Sequence, residues 1–183
     1  MLKSQKYIII PIISILTILT TGCNTTTQTP IQSQLNTSIP DWQNFELIDI
    51  KTSTKFKISD FSNKTLLIES FAIWCPTCTQ QQKELKKLHK INSEIISISL
   101  DTDQNENAQN VLTYITENEF NWNYAISPIN LTQIFIDEFG IKFVSAPSVP
   151  MILICPNNNY YYLKSGLKTQ EFLIKEINNL CNT

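Results

Sequence analysis

Trp74-Cys75-Pro76-Thr77-Cys78 stands directly behind the apolar run Thr65 to Ala72. Along that run Leu66, Ile68 and Ser70 point one way and Leu67, Glu69 and Phe71 the other, the period-two spacing of a strand. Pro76 then predicts a helix from Pro76 to about Lys90. Proline at a first helical position gives up only an N–H that would go unpaired, and its φ is already helical. Strand, turn and helix put Cys75 at a helix N-terminus, where unpaired N–H groups and the positive end of the dipole favour a thiolate. Cys75 is therefore the expected nucleophile. Cys78, one turn on, is the resolving thiol that displaces a partner from a mixed disulfide. An inert structural disulfide or half of a zinc site are the other readings of the pair. Zinc asks for about four ligands, and only Cys155, Cys181 and His89 could complete a set, with no second close pair among them. The expectation is thus no metal, and no cofactor beyond a redox-active Cys75–Cys78 disulfide.

Working outward, Phe45 to Ile50 and Lys55 to Ile58 alternate in part and predict a hairpin before the main fold. Glu94 to Leu100 and Asn121 to Ile126 read as strands. Asp103 to Glu119 reads as a helix with Val111, Leu112 and Ile115 inward, and Asn130 to Phe139 as a helix ended by Gly140. Val149 to Cys155 and Tyr160 to Lys164, joined by the turn Pro156 to Asn159, form a closing hairpin. Thr169 to Leu180 is an amphipathic helix with Phe172, Leu173, Ile177 and Leu180 as its buried stripe. Leu85 and Leu88 share the buried side of the Pro76 helix, while Lys83, Lys86, Lys87, Lys90 and His89 read as solvated. Alternating strands and helices require parallel pairing with helical crossovers. The expected class is α/β: a mixed central sheet flanked by helices, with an N-terminal β-hairpin extension. Cys155 and Cys181 read as two separate buried thiols, a second disulfide between them being the alternative.

The N-terminal segment has its own signature. Lys3 and Lys6 precede a mostly apolar stretch from Tyr7 to Leu19, and Thr20-Thr21-Gly22-Cys23 follows. That is an export signal, too short for a membrane span of about 20 residues. Gly22-Cys23 resembles the lipobox of prokaryotic lipoproteins, although Thr20 stands where that pattern has leucine; the resemblance makes Cys23 the expected lipid attachment site. An uncleaved anchor or ordinary secretion is the alternative. Residues 24–40, with five threonines and three glutamines, read as a flexible polar tether, and 41–183 as the folded domain. The chain has 183 residues and a net charge of −2, with lysine as its only strongly basic residue. That balance excludes a nucleic-acid binder, and the missing arginine removes any bidentate clamp for phosphate or carboxylate.

The Trp-Cys-Pro-Thr-Cys run after a strand, with Val149-Pro150 and a hairpin far downstream, resembles the thioredoxin superfamily. The leading hairpin, Asp60-Phe61 and the strand end Ser99-Leu100-Asp101 are most similar to its membrane-tethered TlpA/ResA-type thiol–disulfide oxidoreductases. That resemblance implies a thioredoxin-like fold over about residues 41 to 181. It makes Pro150 the cis-proline that turns the Val149 backbone toward Cys75, ready to pair with a client strand. Pro147 is the alternative, because Phe143 to Ser148 lengthens the approach. Glu69, six residues before Cys75, matches the buried acid that takes the proton of the resolving thiol; an edge-exposed glutamate is the other reading. Gln81 stands where TlpA-type chains often carry a second acid, which leaves Glu69 to act alone. Trp74, Pro76 and Thr77 would meet the client and, for the dipeptide, tune the potential.

The function so implied is electron exchange with exported proteins at the outer face of the cytoplasmic membrane, by a lipid-anchored monomer. The direction is reducing, as in cytochrome c maturation, with a membrane electron donor to recharge the dithiol. A disulfide-forming oxidant or isomerase is the competing enzyme, and a tethered thiol-binding module or metallochaperone the non-catalytic alternative. Copper carriers of the Sco kind place three residues between their cysteines and a histidine far downstream, and peroxiredoxins use an arginine; this chain has neither feature.

Overall fold

The structure is a computed structural model that describes residues 39–181. The signal segment, most of the tether and Cys23 lie outside the described residues. Five strands form the central sheet in the order β5-β4-β3-β6-β7. These are β3 (Leu66–Phe71), β4 (Ile96–Asp101), β5 (Asn123–Ile126), β6 (Met151–Ile154) and β7 (Tyr160–Leu163), preceded by a separate antiparallel hairpin of β1 (Leu47–Ile48) and β2 (Lys55–Phe56). β3, β4 and β5 run parallel, joined through α1 (Pro76–Ile91) and α2 (Ala108–Glu117). After α3 (Ile129–Phe139) the chain reverses: β6 pairs antiparallel with β3, β7 with β6, and α4 (Gln170–Cys181) ends the domain.

The alternation in β3 sets the layers. Leu67 and Phe71 lie in the core with Leu85 and Leu88 of α1, Val111 and Ile115 of α2 and Leu173 of α4. Leu66 and Ile68 lie in the opposite core with Leu131 and Phe135 of α3, Phe143, and Trp42 and Leu47 of the N-terminal segment. β3 is buried at every position, so one misplaced residue would exchange the two faces. The hairpin is fastened to the β5 edge: Ile50 N–H donates to Tyr124 O at 2.8 Å, and buried Asp49 accepts from the N–H groups of Lys51, Thr52 and Tyr124.

Four local readings change. The second helix begins at Ala108 rather than Asp103, because Asn107 caps it by accepting from Asn110 N–H at 3.0 Å. Phe172 is exposed, and Ile174 joins the inward side of α4 instead. His89 packs edge-on to Trp122 and shares a 2.9 Å hydrogen bond with Ser97; burial lowers its pKa. Cys155 and Cys181 are joined by a disulfide, their Cα atoms 5.2 Å apart, because the ends of β6 and α4 meet. Gly140 closes α3 at φ +85°, ψ 161°, a conformation essentially confined to glycine.

Candidate functional site

β3 delivers the chain to the carboxyl end of the parallel strands, and four residues later Cys75 caps α1. Its Sγ accepts the N–H of Cys78 at 3.1 Å, and its carbonyl accepts the N–H of Thr79 at 3.1 Å. A helix N-terminus thus points directly at the sulfur, the arrangement that favours a thiolate there. Cys75 and Cys78 form a disulfide with Cα atoms 5.3 Å apart. Cys78 Sγ lies 3.0 Å from Ala146 O, which can accept the S–H of the reduced form.

The turn before Cys75 is held from outside. Glu106 accepts the Ile73 N–H with both carboxylate oxygens, at 2.9 and 3.1 Å. Asp103 accepts the Trp74 indole N–H at 2.7 Å; the Asn105 backbone N–H first, and then this indole, keep its pKa low. These anchors exist because residues 103–107 stay out of α2. Trp74 is 58% exposed, and Pro76 and Thr77 are exposed beside it, whereas Cys75 is only 1% exposed. A cleft of about 400 Å³ is lined among others by Ala72, Trp74, Thr102, Ala146 and Pro147.

Glu69 lies on the α1 side of β3 and is 1% exposed, so it is no edge residue. Ser99 Oγ donates to it at 2.6 Å and is itself fixed by the Trp122 indole N–H at 2.8 Å. Burial raises the Glu69 pKa to about 7; Ser99, Gln82 and the Lys168 ammonium restrain the rise. Gln82 is one turn beyond Cys78 on the same side of α1, about 6 Å along the axis. Glu69 is thus a buried carboxyl that exchanges its proton near neutral pH, which suits a general base. The Asp101 carboxyl is buried at the end of β4 and is also raised, first by burial, with Glu106 and Asp103 adding to it.

The expectation for Val149 and Pro150 is corrected. Every described peptide bond is trans, including those before Pro147 and Pro150. Val149 is buried with φ +40°, ψ 53°, closing the short turn Ala146–Ser148. Its N–H donates to Ala146 O at 3.0 Å and its carbonyl accepts from Lys168 Nζ at 2.7 Å. Both backbone groups are spent internally, so the Val149 backbone is not presented to a client. The segment that borders the cysteines is Ala146-Pro147.

Sequence reasoning missed three groups. Lys168, buried before α4, gave no sign of its position, and Asp103 and Glu106 were hidden inside an expected helix. Gln81, expected only as an absent acid, is fully buried and grips Lys168: its Oε1 accepts the Lys168 N–H at 2.8 Å and its Nε2 donates to Lys168 O at 3.0 Å. Among the described residues no group of three or more His, Cys, Asp or Glu side chains is placed to hold a metal.

The Redoxin family profile matches residues 34–160. No curated protein matches the chain. Among solved structures, a secreted disulfide oxidoreductase of Mycobacterium tuberculosis, homologous to the DsbE of E. coli, superposes with a TM-score of 0.61 at 10% identity, over 76% of this chain and 98% of that one. A thiol:disulfide interchange protein of the thioredoxin family from Chlorobium tepidum gives 0.61 at 16% identity, over 74% and 91%. A SCO1/SenC family lipoprotein from Bacillus anthracis gives 0.57 at 17% identity, over 74% and 92%. At such identities the likeness is one of fold, and the fold is thioredoxin-like.

Proposed function

Because this chain belongs to the Redoxin family, we propose that its Cys75–Cys78 pair exchanges electrons with the disulfides and dithiols of exported proteins, chiefly as their reductant. One observation carries this reading: a disulfide at a helix N-terminus, its first sulfur facing a helix N–H and its second lying 3.0 Å from the Ala146 carbonyl.

In the reducing direction, the Cys75 thiolate attacks one sulfur of a client disulfide. The client's S–S bond breaks, and a mixed disulfide and a client thiolate form. Cys78 then gives its proton to Glu69 and attacks Cys75 Sγ. The Cys75–Cys78 bond closes, the second client sulfur leaves as a thiolate, and the pair of electrons has passed from the dithiol to the client. Both client thiolates take up protons, one of them supplied by Glu69. A membrane electron donor restores the dithiol. Trp74, Pro76 and Thr77 form the exposed rim that meets the client, and the cleft beside Ala146-Pro147 takes its backbone.

Placement outside the cytoplasm, with a lipid on Cys23 and residues 24–40 as the tether, rests on the signal-like N-terminus; cytochrome c maturation rests on the TlpA/ResA resemblance. A second disulfide, Cys155–Cys181, fits an oxidising compartment. Among the described residues no helix is long and apolar enough to cross a membrane. The test is insulin-disulfide reduction by the full chain. Cys75→Ser abolishes it, and Cys78→Ser accumulates mixed disulfides through Cys75. Equal activity in all three proteins would end the proposal. Mass analysis of the N-terminal peptide checks the lipid; an unmodified Met1 terminus would refute it.

A further inference from the structure

Trp74 stands between two clefts. The first is the one that Asp103, Ala146 and Pro147 help to line; its Ala146 carbonyl lies 3.0 Å from Cys78 Sγ. The second, about 480 Å³, is lined by Ile73, Tyr114 and, at the end of α2, Glu117. The indole is a wall common to both. It is 58% exposed, yet it does not swing freely: Asp103 accepts its N–H at 2.7 Å, and Glu106 accepts the N–H of the residue before it. A large aromatic surface already held in place loses little freedom when a partner covers it. Cys75 is the next residue in the chain.

The charges along this ridge have one sign. Asp103 and Glu117 are the charged side chains that line the clefts, and among the described residues no lysine lines either. N–H donors from Asn105 and the indole hold Asp103 below the usual carboxylate range. Glu117 is exposed and has no hydrogen-bond or ion-pair partner among the described residues. Lys86 reaches the end of α2, donating to Asn118 O at 3.1 Å, but it is paired with Glu119 and lines neither cleft. A carboxylate on each side of an exposed indole attracts a cationic chain and repels an acidic one, and the ring face itself favours lysine and arginine. We propose that Trp74 is a saddle for basic client segments: the client strand crosses the indole with lysine or arginine on both sides of its cysteine, one side toward Asp103 and the other toward Glu117. This rests on the exchange reading above and narrows its substrate class.

The experiment mixes the reduced full-length protein with synthetic peptides that carry one cysteine as an aryl mixed disulfide, flanked by lysines, glutamates or leucines. Release of the aryl thiolate reports attack by Cys75. Each rate is divided by that of the same peptide with mercaptoethanol, which removes the intrinsic effect of the flanks. At about 10 mM salt the lysine peptide should react about tenfold faster than the glutamate peptide. At about 1 M salt, where the screening length falls from about 30 Å to about 3 Å, the two should nearly converge. Glu117→Gln and Asp103→Asn should each lower the low-salt ratio about threefold, and Glu117→Lys further still. Equal rates for the lysine and glutamate peptides overturn the proposal, as does a ratio that none of these variants moves. A leucine peptide as fast as the lysine peptide also overturns it, since the clefts would then select apolar flanks. If no peptide reacts faster with the native protein than with Cys75→Ser, the exchange reading itself fails and takes this inference with it; the other adverse results leave that chemistry standing.

Discussion

Replacing Glu69 by glutamine should stabilise the protein at neutral and alkaline pH while slowing its chemistry. The carboxyl is fully buried and its pKa is raised from 4.5 to about 7, chiefly by burial. Folded protein thus holds the Glu69 proton more tightly than unfolded protein does. The stability this contributes is complete below pH 4.5, where both forms are protonated, and is lost as pH rises through about 7. A rise of that size corresponds to about 3 kcal/mol at pH 8 and above. Glutamine has no proton to lose and can still accept from Ser99, so it escapes the loss. Part of the gain is returned, because Lys168 is deprived of the carboxylate that favours its charge. The net expectation is a Glu69→Gln variant more stable than native by about 2 to 3 kcal/mol at pH 8, with the difference vanishing near pH 4.5. Urea denaturation of the oxidised proteins at pH values from 4.5 to 8 measures it directly. The same variant should lose about a hundredfold in closure rate, the low end for a lost general base. A stability difference that is flat with pH would refute the account of Glu69 as a buried carboxyl titrating near 7.

Two further perturbations test the frame around the site. Cys181→Ala opens a disulfide that spans a sequence separation of 26 and should cost about 3.5 kcal/mol by loop entropy, with Cys75–Cys78 exchange unchanged; denaturation without reductant checks both, and a loss under about 1 kcal/mol would contradict the role given to the bond. Gly140→Ala has open space for its methyl group, yet should cost about 1 to 3 kcal/mol because of the backbone conformation there; a neutral result in the same assay would refute that reasoning.

Much of the fold was legible because its elements announce themselves locally. Leu66 to Phe71 is an apolar run bounded by turn residues, Pro76 marks a helix start and Gly140 a helix end, and these were enough to order strands and helices and to put Glu69 on one side of β3 with Leu67 and Phe71. Legibility failed where tertiary contacts override local pattern. Residues 103–107 were read into the helix, yet Asp103 and Glu106 are used as acceptors for Trp74 and Ile73, and Asn107 caps the helix later, as the turn- and cap-favouring Asp and Asn of this stretch allow. Phe172 looks like core by type, but Leu173, Ile174 and Ile177 occupy the inward arc of α4. Val149 could be placed next to Pro150 from the sequence, but not its engagement by a lysine 19 residues away. Lys168 itself had no local signal: a lone lysine after Gly166-Leu167 reads as solvated, and only the packing of α1 against the α4 loop buries it. Gln81 was noticed for the charge it lacks, whereas its function is to hold that loop.

The claim beneath all of this is that Cys75, and not Cys78, is the sulfur made reactive by its place at the start of α1. The direct measurement is brief treatment of the reduced protein with iodoacetamide at neutral pH, followed by peptide mapping. Label should enter Cys75 well before Cys78 and faster than it enters Cys75 of the same chain unfolded in urea. Equal rates in the folded and unfolded chain, or first labelling at Cys78, would contradict the account.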